Sequence, residues 1–346
     1  MKTCFDSSRI VGIIFLVLIL VQAISGSQFM MDPKIICKKT RRLKARLLEI
    51  CKNEPTVLLE ISKGIQLGTK ECQYQFQNRR WNCTLHKKSM KKVLQRDSRE
   101  TGFVNAVISA GVSYNLAKAC SRGTIPSCGC GKISSENKVQ PDDSKGPWQW
   151  GGCSDNAQHA LKKAKTFMEV DSLEMGDLKS LTMRHNFQVG RTAIWNSMET
   201  VCKCHGTSGS CMMRTCWRSL VPFRKVGDLL KKRFQASIKV VPSNNGHSFI
   251  PYATNVRPPD KLDLVYSEKS PSFCVENKTT GSLGTFGRQC WMNESATTES
   301  LCSNLCCGRG NAVTLRVENV LCNCSAKRFD VQCQNCTQKT LVYHCL

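Results

Sequence analysis

Acidic side chains are scarce in this chain of 346 residues: 26 Asp and Glu stand against 50 Lys and Arg, a net charge of +24. Histidine is scarcer, with six. Beyond residue 21 no apolar run is long enough to cross a bilayer, which takes about 20 residues, so no later segment reads as a membrane span. The one long apolar run, "IVGIIFLVLILV" (Ile10 to Val21), is itself too short to span comfortably. Lys2 and Arg9 precede it, and small residues follow at Ala23, Ser25 and Ser27. That layout reads as a secretory signal peptide cleaved after Ser25 or Ser27 rather than an N-terminal anchor.

Export redirects the meaning of the charge. Lys2, Arg9 and Asp6 lie in the signal, so the exported part carries +24 − 1 = +23. Outside the cell the available polyanions are sulfated glycans of the surface and matrix, then acidic receptor faces; nucleic acid is not an expected partner. The densest basic runs are "KKTRRLKAR" (Lys38 to Arg46), "HKKSMKK" (His86 to Lys92) and "FRKVGDLLKKRF" (Phe223 to Phe234). Each is either a glycan footprint or simply a solvated helix face.

What the chain has in abundance is cysteine. Of 23, Cys4 lies in the signal and 22 remain, enough for eleven bridges. Cys-x-Cys and Cys-x-x-Cys pairs (Cys128 and Cys130; Cys333 and Cys336) could suit zinc, but export and the shortage of histidine favour disulfides and no metal. Five sequons fit the same compartment: Asn82, Asn277, Asn293, Asn323 and Asn335. In three of them a cysteine holds the middle position, where bridge formation competes with glycan attachment, leaving Asn277 and Asn293 as the best acceptors.

From Cys37 to about Lys239 the pattern is mostly helical. Leu43, Leu47, Leu48 and Cys51 recur at helical spacing, as do Leu58, Ile61 and Ile65. Phe103 to Cys120 is apolar on nearly every side and reads as a buried central helix. Asp155 is a candidate N-cap for an amphipathic helix to Val170. Another helix is expected over Val189 to Val201, turning Ile194, Met198 and Val201 to the core. Val241 to Pro271 loses helical period and reads as a linker or extended loop. Beyond it the chain is polar and holds ten of the 22 cysteines, so bridges rather than a large core must hold its hairpins. The fold class is therefore α+β and disulfide-rich. Residues 1–25 form the signal and 26–240 a helical N-terminal domain with stapled hairpins. Residues 241–271 form the linker, and 272–346 a small cystine-rich β-hairpin domain.

The densest motif is "VCKCHGTSGSCMMRTCW" (Val201 to Trp217). Pairing Cys202 with Cys216 and Cys204 with Cys211 would nest two staples in one hairpin. Closing so short a loop is worth only roughly 2–3 kcal/mol, so the doubling is better explained by presentation: a stiff finger with Gly206 and Gly209 bending its tip. What it exposes is the Ser208 hydroxyl, beside Thr207 and Ser210. As a nucleophile Ser208 would need a base. Gly-x-Ser-x-Gly fails at Ser210, no local carboxylate supports His205, and only His159 or His185 could arrive from elsewhere. The alternative is that Ser208 is a modified residue.

"CKCHGTSGSC" resembles the signature of the Wnt family of secreted signalling proteins. "QFQNRRWNC", "RETGFVNAVISAGV", "CGC", "WQWGGCSDN", "HNFQVGR", "DLVY" and "LCCGRG" resemble that family in the same order, across Cys37 to Cys345. The resemblance implies a lipid-modified developmental ligand and not an enzyme. By it, Ser208 carries a palmitoleoyl chain added by the acyltransferase Porcupine, with no other cofactor. Wntless then carries the protein, and the thumb (His205, Gly206, Thr207, Ser208, Gly209) enters the cysteine-rich domain of Frizzled. Low-density-lipoprotein-receptor-related co-receptors would face the linker, and heparan sulfate proteoglycans would hold the ligand in the matrix.

The resemblance also implies disulfides Cys72–Cys83, Cys120–Cys128, Cys130–Cys153, Cys202–Cys216 and Cys204–Cys211 in the N-terminal domain. In the C-terminal domain it implies Cys274–Cys307, Cys290–Cys302, Cys306–Cys345, Cys322–Cys336 and Cys324–Cys333. Cys37 and Cys51 remain and are paired by elimination. One departure stands out. Family members usually carry an aromatic residue and two adjacent cysteines at the tip of the last hairpin, the index finger. Here the tip reads "CSAKRFDVQC", leaving Arg328, Phe329, Asp330 and Val331 as its contact residues. The rival reading is a heparin-binding matrix or inhibitory factor without lipid.

Overall fold

The computed structural model describes residue 37 and residues 45–84, 87–132, 148–169, 177–211, 213–244, 246, 248–292, 298–327 and 330–346. Its centre is the helix Arg99–Ser121, started by Ser98, whose side chain accepts from the Thr101 amide. Phe103, Val104, Val107, Ile108, Val112 and Leu116 point in different directions around this helix, yet all are buried. A helix with no polar face must be enclosed, and its neighbours do this. In chain order the helices are α1 (Ala45–Asn53), α2 (Pro55–Phe76), α3 (Lys87–Leu94), α4 (Arg99–Ser121), α5 (Ala157–Met168), α6 (Leu178–Asn196), α7 (Phe223–Gln235) and the single turn α8 (Cys302–Leu305).

The enclosure is close enough to dispense with side chains. A Cβ on Gly111 would lie 2.4 Å from the Gly64 carbonyl oxygen of α2, and one on Gly190 of α6 would lie 2.0 Å from the Ala106 carbonyl oxygen. At the lower end of α4, Phe76, Phe103 and Phe234 meet edge to face with centroids 4.8–5.9 Å apart, and Trp81 joins Phe76 at 5.0 Å. Such pairs add to the burial of their area.

Helix α6 ends at Asn196, and β2 (Met198–Cys204) begins two residues later. The helix expected to reach Val201 therefore stops early. Ile194 is buried, but Met198 is only half-buried and Val201 is exposed on a strand. Period alone did not separate a helix end from the start of a half-exposed strand of similar composition. β2 pairs antiparallel with β3 (Arg214–Leu220), and the short β1 (Trp148–Trp150) adds to β3 in parallel.

The stretch after α7 is more ordered than its Pro and Asn content suggests. β4 (Ile238–Pro242) pairs with β5 (Phe249–Pro251) and β6 (Val265–Tyr266). Polar side chains from the helices stitch this segment down. Asn186 donates to the Val265 carbonyl at 2.9 Å and accepts from its amide at 3.1 Å. Buried Asp97 accepts from Thr182 Oγ1 at 2.9 Å and from Ser267 Oγ at 2.6 Å. Burial raises the Asp97 pKa, against the lowering by these hydroxyls.

The C-terminal region comprises β7 (Glu276–Asn277), β8 (Ser282–Leu283), β9 (Gln289–Cys290), β10 (Asn311–Lys327) and β11 (Asp330–Cys345). Its core is small: Cys290, Cys302, Leu305, Cys306 and Cys345, with Tyr343 against it. Apart from Phe273, which is buried beside Trp81, the seam to the helices is polar. Arg288 holds the turn that follows α2 by donating to the Gln77, Arg79 and Arg80 carbonyls at 2.7–3.0 Å. Glu299 pairs with Arg79 and lies 3.9 Å from Lys231. Burial, reinforced by Arg79 and opposed by Glu299, brings the Lys231 pKa down to about 8.

Eleven disulfides cross-link the chain. Cys37–Cys51, Cys72–Cys83, Cys120–Cys128 and Cys130–Cys153 lie in the helical region, and Cys202–Cys216 and Cys204–Cys211 in the β2–β3 hairpin. Cys274–Cys307, Cys290–Cys302, Cys306–Cys345, Cys322–Cys336 and Cys324–Cys333 hold the C-terminal region. Because α4 and α6 touch through backbone at Gly190, Gly190→Ala should force them apart and lower stability by about 1–3 kcal/mol, read as a fall in thermal unfolding midpoint. An unchanged midpoint would mean that the helices are not in backbone contact there.

Candidate functional site

The twice-stapled finger is built from its strands outward. In β2 and β3, Cys202 faces Cys216 directly and Cys204 faces Arg214. The outer disulfide therefore spans a paired rung, with Cα atoms 4.0 Å apart. The inner one, Cys204–Cys211, closes the tip with Cα atoms 4.6 Å apart. Between them the backbone satisfies itself. The His205 amide donates to Met213 O at 2.9 Å, Gly206 to Ser210 O at 2.8 Å, Gly209 to Gly206 O at 3.0 Å and Ser210 to Thr207 O at 3.2 Å.

These bonds make one 3₁₀ turn over Thr207–Gly209, with Ser208 in the left-handed region at φ 57°, ψ 26°. A non-glycine residue held there is a mark of constraint. Gly206 is required by space: a Cβ on it would lie 1.9 Å from Ser210 Oγ. Ser210 Oγ thus lies against Gly206, and His205, Thr207, Ser208, Gly209 and Ser210 are all exposed. Among the described residues the Ser208 hydroxyl makes no hydrogen bond. The two distant histidines are occupied elsewhere. His185 Nε2 lies 2.9 Å from the Asp263 carbonyl and its ring stands edge-on to Phe249; His159 sits beside the Cys120–Cys128 bridge. Burial pushes both imidazoles below their usual pKa.

The finger is anchored at its base by Asp155. The structure corrects the N-cap assignment: Asn156, one residue on, accepts from the His159 amide at 3.1 Å and caps α5. Asp155 instead accepts from the Leu220 amide of β3 at 2.7 Å, Ser219 Oγ at 3.1 Å, Lys118 Nζ of α4 at 2.6 Å and Ser121 Oγ at 2.7 Å. Burial alone would raise its pKa, but the hydrogen bonds from Lys118, Leu220 and Ser121, with the Lys118 charge, hold it below 3.8. One carboxylate thus ties the finger to the central helix. Sequence reading missed this because Asp-Asn offers two capping residues and only tertiary structure chooses between them.

The other candidate residues are dispersed. Arg328 and Phe329 lie outside the described residues, and for Asp330 and Val331 only the backbone pairing is described, opposite Lys327 and Ala326. Asn293 also lies outside them. Asn277, Asn323 and Asn335 are exposed and Asn82 is half-buried. Asn277 Oδ1 accepts from the amide and hydroxyl of Thr279, at 2.8 and 2.6 Å. The sulfurs of Cys290, Cys306 and Cys345 cluster within 4.8 Å, but each belongs to a disulfide and offers a metal no thiolate. No helix among the described residues is long and apolar enough to cross a membrane.

The scaffold is a cystine-stapled α+β fold that holds the exposed Thr207, Ser208 and Ser210 hydroxyls out on a twice-stapled tip. The profile of the wnt family matches residues 39–346, and the chain belongs to the Wnt family, whose members are signalling ligands and not enzymes. It is 41% identical over 344 residues to protein Wnt-6 of Mus musculus, covering 93% of this chain and 92% of that one, and equally so to protein Wnt-6 of Homo sapiens. Among solved structures, a chain of the complex of human WLS with WNT8A is similar at a TM-score of 0.61 and 33% identity, covering 85% of this chain and 96% of that chain.

Asp155 carries a testable consequence for the site's foundation. Asp155→Ala should cost about 3 kcal/mol in chemical denaturation, since it leaves the Lys118 ammonium and the Leu220 amide unpaired. The folded pKa is depressed, so the stabilisation is present above about 3.9, the unfolded value, and is lost as pH falls through the folded value. Below pH 4 the wild type should therefore lose stability more steeply than the variant. Parallel acid profiles would remove Asp155 as the anchor.

Proposed function

We propose that this chain is a secreted Wnt ligand acylated with palmitoleate on Ser208 by Porcupine, and that the lipid-bearing thumb engages the cysteine-rich domain of Frizzled. The observation that carries the reading is the exposed, hydrogen-bond-free Ser208 hydroxyl at the tip of a hairpin closed by two bridges. An acyltransferase needs such access, and a receptor gains from a loop already ordered. Met213 and Val201 are large and exposed on the flanks of the finger, which suits an apolar groove. Each buried methylene of the acyl chain adds about 0.8 kcal/mol, so the lipid supplies much of the affinity and also keeps the secreted ligand at membranes.

The solved complex of WLS with WNT8A supports Wntless as the carrier of this chain. In the same reading residues 26–240 and 272–346 are the two domains. The 241–271 segment faces the lipoprotein-receptor-related co-receptors, and the cationic surface, +23 after signal removal (+24 − 1), retains the ligand on heparan sulfate proteoglycans in the matrix. Glycans occupy Asn277 and others of the five sequons. Arg328, Phe329, Asp330 and Val331 form the second Frizzled contact.

Intact mass of the secreted protein should show a fatty-acyl increment that disappears in Ser208→Ala. The variant's affinity for a purified Frizzled cysteine-rich domain should fall by at least about a hundredfold, the worth of some four buried methylenes. An unmodified wild type that still signals would sink the acylated reading in favour of a heparin-binding factor without lipid. In the same binding assay Phe329→Ala should weaken binding roughly tenfold; unchanged affinity would remove the index finger as a contact.

A further inference from the structure

The β10–β11 hairpin leaves one long edge open. β10 pairs with β11 on one side, and among the described residues no strand pairs with its other side. Residues 312–319 are exposed without interruption. Three of them are large and apolar and share one face, Val313, Leu315 and Val317, at 53%, 59% and 54% exposure, and Leu321 follows on the same face at 69%. Proteins usually guard such an edge with lysine, proline or an early bulge. Here the bulge comes only between Cys322 and Ser325, so the flat stretch Val313–Leu321 is centred on Val317.

We propose that this edge pairs antiparallel with the same edge of a second copy of the chain, about a two-fold axis at Val317. The charges select both the partner and the register. Arg316 and Glu318 are the only charged residues of the stretch, they stand on one face, and they pair with each other at 2.5 Å. An axis at Val317 places Arg316 of each copy opposite Glu318 of the other. It also sets Val317 against Val317 and Val313 against Leu321. An axis at Arg316 or at Glu318 would set like charges face to face, which destabilises directly opposed pairs. An interface in which each copy offers the same patch must be self-complementary, and only an axis at Val317 sets each charge of the stretch against its opposite. Asn335 lies opposite Leu321 in the hairpin. A glycan there would obstruct stacking of the apolar faces, whereas the β10 edge stays open.

The test uses full-length secreted chains carrying Ser208→Ala, so that no acyl chain drives association, in sedimentation velocity from nanomolar to high-micromolar concentration. The starting chain should show a concentration-dependent species of twice the monomer mass. Arg316→Glu alone and Glu318→Arg alone should each raise the dimer dissociation constant at least about tenfold, because like charges then meet across the seam. An equimolar mixture of the two variants should recover the dimer, since one strand is now wholly acidic where the other is basic. Both variants lose the intrachain pair, so only pairing between chains explains recovery on mixing. Val317→Lys should leave monomers. A starting chain that stays monomeric, single variants that dimerise unchanged, or a mixture that does not recover would each overturn the proposal.

Discussion

The helix Arg99–Ser121 sets the terms for the rest of the molecule. Apolar on nearly every side along most of its length, it must be enclosed there, and α2, α5, α6 and α7 take their places by covering it. Covering so small-faced a helix brings backbones together at Gly64, Gly111 and Gly190. That contact leaves little room for relaxation, since close-packed interiors transmit strain rather than absorb it. A rigid centre is the condition for a rigid projection. The finger can be a fixed feature only because Lys118 and Ser121, on the last turns of this helix, hold Asp155, and Asp155 holds the root of β3.

The two ends of the chain solve the stability problem differently. The helical region buries a continuous apolar core that includes Phe76, Phe103, Phe187 and Phe234. The C-terminal region has one leucine and a cluster of half-cystines at its centre, too little apolar area to order a chain of this length unaided. Its bridges act on the unfolded state, and its seam to the helices is held by Arg288 on the carbonyls of the turn that follows α2.

How much of this was legible depended on whether a feature was local. The apolar run around Val107 announced a buried helix, and the small residues between Cys204 and Cys211 announced a tight tip, because both are properties of adjacent residues. The helix expected through Val201 stopped at Asn196, since Met198 and Val201 suit a half-exposed strand as well as a helix face. The order at Val265 and Ser267 was hidden because their partners, Asn186 and Asp97, lie far away in sequence. Asp155 was visible as a polar residue before a helix, but its partners on α4 and β3 exist only once those elements have met.

At the tip of the finger, serine occupies a backbone conformation that suits glycine better. Left-handed φ disfavours a side chain by about 1–2 kcal/mol, and Ser208 sits there while glycine takes the next position, 209, also at positive φ. Glycine at 208 would relax the backbone and remove the hydroxyl from the apex. The chain therefore retains a locally unfavourable residue at an exposed tip. Folding stability cannot be the reason for that choice, and the oxygen atom can.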